Sequence, residues 1–250
     1  MRGFGALFRR ELGAFFGSTT GYVTLTLVTL ILCGGFVVLV EALNGQKTDL
    51  PLTEAYYDSF YFWLVALFGA PILTMRSFAF DRETGHAAVL ASAPIGDWAL
   101  TLAKFLSCWL IFLTLWSPLI LCVLALGHWS VEAPDVGWPE AVSTFLGVAL
   151  VGGVYVALGV LVSARSKQSL TAAIVTFSLC LLMFTSGFVA GLPALEGSWV
   201  ARLGSLFSMA DAMRDFVRGV IDTRHVIFTV STISLLLFLV FKTVEARRWR

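Results

Sequence analysis

Six apolar stretches, none holding Asp, Glu, Lys, Arg or His, decide what this chain can become. They run Thr20–Val40, Phe60–Met75, Phe105–Leu126, Ala141–Val162, Ser169–Ala190 and Val226–Phe241. A helix rises about 1.5 Å per residue, so about 20 apolar residues cross the roughly 30 Å of hydrocarbon in a bilayer. The second and last stretches, 16 residues each, need another turn from flanking residues such as Tyr56–Ser59 and His225. Composition agrees: 58% of the 250 residues are hydrophobic and 13% charged, where a soluble domain carries about 25% charge. The expected fold is all-α and polytopic, with six transmembrane helices. Residues 1–250 show no internal repeat, linker or low-complexity stretch and read as one membrane domain.

The uncharged interior of the spans narrows the function. Ion- or proton-coupled carriers keep ionisable groups near the midplane, where charge is expensive and therefore purposeful, and channels with charged selectivity rings do likewise. Pro71 and Pro118 bend or loosen their helices, which membrane bundles tolerate. Ala149, Gly153 and Ala157 form a small-residue face suited either to internal packing or to a dimer seam.

Lys and Arg set the expected orientation. One side, with the N-terminus, the insert after the second span, the 163–168 loop and the C-terminus, holds 12 of them; the other holds 5. Acids are reversed, 5 against 11, so the faces carry +7 and −6. The positive-inside rule places both termini in the cytoplasm. Trp63, Trp98, Trp129, Trp138 and Trp199 lie at or near span ends, as an aromatic belt requires.

The insert at 77–104 is then cytoplasmic and larger than a turn needs. "RSFAFDRETG" carries the charges Asp81, Arg82 and Glu83 out of the membrane, and "ETGHAAVLAS" reads as a short helix with Ala87, Val89, Leu90 and Ala91 on its apolar face. Pro94 ends it, "PIGD" turns the chain, and Asp97 suits the N-cap of the next helix. A helix across the mouth of two spans is either a docking element that moves them or a seal. At the N-terminus (1–19), Phe4, Leu7, Phe8, Leu12, Phe15 and Phe16 recur at helical spacing, with Arg2, Arg9, Arg10 and Glu11 largely off that stripe. This fits an amphipathic helix lying in the interface against anionic lipid, with or without contact to another protein.

The long loop 191–225 on the other side contains "SMADAMRDFVRG". Met209, Ala212, Met213, Phe216, Val217 and Val220 fall on one face and Asp211, Arg214, Asp215 and Arg218 on the other, with Ser208 as N-cap and Gly219 as terminator. Such a helix lids the bundle or lies in the outer leaflet. Other chemistry is thin. Cys33, Cys108, Cys122 and Cys180 sit singly in their spans, and His86, His128 and His225 are far apart, so neither a metal nor a redox motif is expected. Nothing in the charge distribution suits nucleic acid.

"DRETGHAAVLASAPIGDWALTLAKF" resembles the segment between the second and third spans of type-2 ABC transporter permeases, with Arg82, Glu83, Thr84, Gly85, Leu90, Pro94, Asp97 and Lys104 at matching places. "FRRELGAFFGSTTGYVTLTL" resembles their N-terminal helix and first span, and the last 36 residues, from Asp215, resemble the end of the gliding-motility and nitrous-oxide-reductase-maturation branch. The resemblance implies a multi-pass permease of the bacterial plasma membrane that pairs with a second permease. Two cytoplasmic ATPase subunits would bind ATP and magnesium. The coupling segment, with Asp81, would seat in the ATPase, so that reversing Arg82 or Glu83 weakens docking. The helix holding Met209, Met213, Phe216 and Val217 would serve as an extracytoplasmic lid. The chain lacks a G-x-x-x-x-G-K-[ST] phosphate loop, so it is not expected to be an enzyme by itself. The alternatives are a mechanotransmitter that takes work from the ATPase without passing cargo, and an ATP-independent carrier or channel.

Overall fold

The structure, a computed structural model, describes residues 2–43, 52–86, 96–129, 138–190, 198–199 and 208–248. Among them are ten helices: α1 (Arg2–Phe16), α2 (Thr19–Leu43), α3 (Leu52–Tyr57), α4 (Phe60–Thr74), α5 (Phe78–Glu83), α6 (Asp97–Trp129), α7 (Trp138–Arg165), α8 (Ser169–Ala190), α9 (Met209–Val217) and α10 (Thr223–Arg248). Six segments are long and apolar enough to cross a membrane: α2, the α4–α5 pair, α6, α7, α8 and α10. This is a multi-pass membrane protein.

Burial sorts the spans into two classes. Over an 18-residue apolar stretch, 67% of the residues are buried in the α4–α5 span and in α7, against 17–28% in the other four spans, so these two form the centre and the rest surround them. Small residues let the centre close. A Cβ on Gly159 of α7 would stand 2.2 Å from the hydroxyl of Thr74 on α4, and one on Gly152 would stand 2.1 Å from the Phe112 ring of α6. The small-residue face of α7 is likewise used for packing within the chain. Ala157 is fully buried, Gly153 faces Ile233 of α10, and the Trp109 indole of α6 donates to the Ala149 carbonyl at 2.8 Å.

The second span gains its length differently from the expectation. Tyr56–Ser59 do not extend it: Ser59 caps α4, its hydroxyl accepting from Phe62 N–H, and Tyr56 and Tyr57 belong to the separate α3. The span instead continues at its other end. Met75–Ser77 break the helix, and α5 resumes it to Glu83. Pro71 has no N–H to give its own helix, yet its carbonyl takes the closing bond from Met75. At the start of α5, the Ser163 hydroxyl of α7 accepts from Phe78 and Ala79 N–H at 3.1 and 3.0 Å, work that the local Ser77 side chain does not do. In α6, Pro118 leaves the Thr114 carbonyl without its helical donor, and the Ser117 hydroxyl supplies one at 2.7 Å.

The last span runs well past the expected Val226–Phe241, through 26 residues of α10. Asp97, expected as an N-cap, is the first residue of α6; the cap position falls to Gly96, whose carbonyl accepts from Leu100 N–H. The apolar helix expected around Leu90 and the Pro94 turn lie outside the described residues.

Candidate functional site: a charged latch and an opposite lid

Three consecutive residues at the end of the second span each reach a different neighbour. Asp81 is buried, and its carboxylate meets Lys104 Nζ of α6 at 2.5 Å. The ammonium, 1% exposed, also donates to the Ser77 carbonyl at 2.8 Å and to Glu11 of α1 at 3.2 Å, and lies 5.2 Å from the Phe78 ring. An ammonium has three protons, and all three are matched. Arg10 of α1 stands 3.8 Å from the other Asp81 oxygen. Two acids and two bases thus sit together with no formal surplus, which offsets the cost of burying Asp81 and Lys104 at the end of a bundle.

The next two residues match the electrostatics of helix ends. Arg82 donates to the carbonyls of Ala164 and Ser166, at the C-terminus of α7, where the helix dipole is negative. Glu83 accepts from the backbone N–H of Ser169 at 3.0 Å and its hydroxyl at 2.6 Å, at the positive N-terminus of α8. Residues 81–83 therefore fasten α1, α6, α7 and α8 to the second span. Thr84, Gly85 and His86, all exposed, follow at once. Gly85 adopts φ +76°, a left-handed turn that costs an L side chain, and Thr84 bonds the Phe80 carbonyl and meets His86 Nδ1 at 2.8 Å.

The N-terminal helix packs along α6 and α2. Leu7 is buried, Leu12 and Phe15 lie against the core, Phe4 stacks on Phe8, and Arg9 and Arg10 are exposed. Glu11 is turned inward to Lys104, a role that its place off the apolar stripe did not signal.

At the opposite end, α9 closes over α7, α8 and α3. Met209, Met213, Phe216 and Val217 are all at most 1% exposed, and Asp211 and Arg214 flank them. The Ser208 hydroxyl accepts from Asp211 N–H at 3.1 Å, and Gly219 has φ +81°. A Cβ on Gly147 would fall 2.7 Å from Phe216, so only glycine lets α9 lie this close. Tyr57 donates to the Ala210 carbonyl at 2.6 Å; burial pushes its phenol above the ordinary value and keeps it a donor. Thr53 donates to the Val217 carbonyl, and Glu54 pairs with Arg218 at 2.6 Å. Val220, placed on the apolar face by its spacing, is exposed.

Beneath α9, Met213, Phe62, Phe112, Trp116, Gly152 and Tyr155 border a narrow apolar void. The Trp116 indole nitrogen and the Tyr155 hydroxyl are buried without a hydrogen-bond partner among the described residues. The described residues contain no cluster of three metal-ligating side chains.

Of the residues singled out in the sequence, the structure gathers Asp81 and Lys104 into the latch and puts Arg82 and Glu83 on two other helices. Leu90 and Pro94 lie outside what is described. The roles of Ser163, Ser169 and Glu11 went unread, because contacts 84 to 93 residues apart leave no local signal in one sequence. Residues 42–243 match the family described as ABC-2 family transporter protein. No curated protein matches the chain.

Proposed function

Since that match covers most of its length, the chain belongs to the ABC-2 transporter family, and on that premise we propose that it is the permease subunit of an ATP-driven exporter. It sits in the bacterial plasma membrane with both termini in the cytoplasm and pairs with a second permease. Separate cytoplasmic ATPase subunits bind ATP and magnesium and supply the work. The segment that follows Glu83, residues 84–96, seats in the ATPase, and α9 lids the external end.

The observation that carries this reading is the latch. A segment that docks a moving partner must be anchored to what it moves. Residues 81–83 stand immediately before that segment and hold α6, α7 and α8 by charge-assisted hydrogen bonds, roughly twice as strong as neutral ones, while Arg10 of α1 pairs with Asp81 at 3.8 Å. A displacement of the 84–96 segment would be delivered to most of the cytoplasmic end at once, tilting spans as rigid elements.

The test is a mild-detergent isolation of the complex from its native host, with mass spectrometry and an ATPase assay. The expected result is a stoichiometric partner carrying a phosphate-binding loop, with hydrolysis stimulated by cargo. Isolation of the intact chain with no nucleotide-binding partner in several detergents would overturn the reading. A partner whose hydrolysis answers to an added external protein instead of a cargo would favour the mechanotransmitter.

A further inference from the structure

Cys33 on α2 and Cys122 on α6 are 89 residues apart in sequence, yet their sulfurs stand 3.3 Å from each other, the Cys122 thiol donating to the Cys33 sulfur. Both residues are partly exposed at the seam between the first and third spans; Cys108 of α6 is also partly exposed, whereas Cys180 is buried. A disulfide bond is about 2.05 Å long, so the two side chains need to close by only about 1.2 Å. We propose that Cys33 and Cys122 are a dithiol–disulfide site that reversibly fastens the first span to the third.

The chemistry is thiol–disulfide exchange with a small organic disulfide able to enter the bilayer. One cysteine sulfur gives up its proton and attacks the reagent, forming a mixed disulfide and releasing the first small thiol. The second cysteine sulfur attacks the mixed disulfide at the protein sulfur, forming the Cys33–Cys122 bond and releasing the second. The two protons end on the two small thiols; the protein loses two electrons and the reagent gains them. A strong reductant of the phosphine or dithiol class reverses the step.

The position of the pair makes this bond more than a local cross-link. Leu32, next to Cys33, accepts the Tyr56 hydroxyl of α3 through its carbonyl at 3.0 Å. Helix α3 in turn holds α9 through Tyr57, Thr53 and the Glu54–Arg218 pair. A Cys33–Cys122 bond therefore ties α6 covalently to the α2–α3–α9 assembly that covers the outer end. The consequence for turnover rests on the permease reading; the bond itself does not.

The experiment uses the full chain in native membranes treated with 4,4′-dipyridyl disulfide. Expected are the release of two pyridinethiones per chain, a Cys33–Cys122 linked peptide by mass spectrometry, and its disappearance in Cys33→Ser and in Cys122→Ser. Reagent left attached separately to each cysteine, or links to Cys108 or Cys180 instead, would overturn the site. Linked chain should also unfold at a higher temperature than the same chain after reduction, with no such difference in Cys33→Ser. In the assembled complex, linkage should abolish most cargo-stimulated hydrolysis and reductant should restore it, again only in the wild type. Undiminished hydrolysis in linked chain would overturn the fastening of a moving seam. If no ATPase accompanies the chain, the permease reading fails, while the linked peptide and the unfolding temperature still decide the site.

Discussion

Lys104 shows how much one side chain can organise. Its three protons go to Asp81 and Ser77 at the end of the second span and to Glu11 of α1. Lys104→Met leaves the Asp81 carboxylate buried with only a distant Arg10, and removal of one partner of a buried pair costs about 3–5 kcal/mol. The Lys104→Met/Asp81→Asn double variant is expected to recover a large part of that loss. A thermal-unfolding double-mutant cycle in detergent checks both, and additive effects would mean that the pair is not coupled. Tyr155 gives the opposite case. Its hydroxyl is buried with no partner among the described residues, so Tyr155→Phe removes an unmet desolvation cost and should stabilise by about 1 kcal/mol. A fall in unfolding temperature would reveal a bound water in the void beside Met213. In the sequence, Lys104 was visible as a charge entering a span. Its partners were not, because contacts 23 and 93 residues away leave no local pattern.

At the scale of the element, α9 was the most legible piece outside the membrane. Its cap, its terminator and its apolar face could be read from spacing, because each depends on residues within two turns. Ser208→Ala should cost about 1 kcal/mol, the usual worth of a side-chain cap, read by chemical or thermal unfolding. What spacing could not supply was the surface that receives the helix. Gly147 provides it from a span that shows no unusual local feature, and Gly147→Ile is expected to lift α9 off α7. Limited proteolysis near 208–222 would detect this, and an unchanged digestion pattern would show that the lid tolerates displacement. The second span was misread at its boundary for a related reason. The break at Met75–Ser77 ends the hydrophobic run, so α5 looks like the start of a polar insert. Only Ser163, on another helix, supplies the acceptor that lets α5 resume.

For the molecule as a whole, six crossings and an asymmetric charge distribution were open to inspection, since both are sums over many residues. The +7 and −6 faces predict that a cysteine introduced near Arg248 reacts with a membrane-impermeant maleimide only in inverted vesicles, and one near Asp222 only in right-side-out cells. Labelling in the reverse sense would invert the proposed topology. The working of the end that carries the latch was less open, because the Arg82 and Glu83 contacts join helix termini far apart in the chain. Because both side chains bond to helix ends within the chain, the weaker docking implied by the resemblance gives way to another expectation: Arg82→Glu or Glu83→Lys should reduce stimulated hydrolysis at least several-fold while the ATPase still co-purifies. Loss of the ATPase from the complex would instead mark these residues as the docking contact itself.

The same latch bears on how the protein is made. The chain emerges from its N-terminus, and the second span is synthesised before the residues that complete its end. Asp81 must wait for Lys104, Arg82 for the carbonyls of Ala164 and Ser166, and Glu83 for Ser169. Until the fifth span begins to leave the ribosome, the inner end of the second span carries ionic groups whose final partners do not yet exist. This end of the second span can therefore be completed only after Ser169 has been made, and its contacts join segments synthesised early to segments synthesised late.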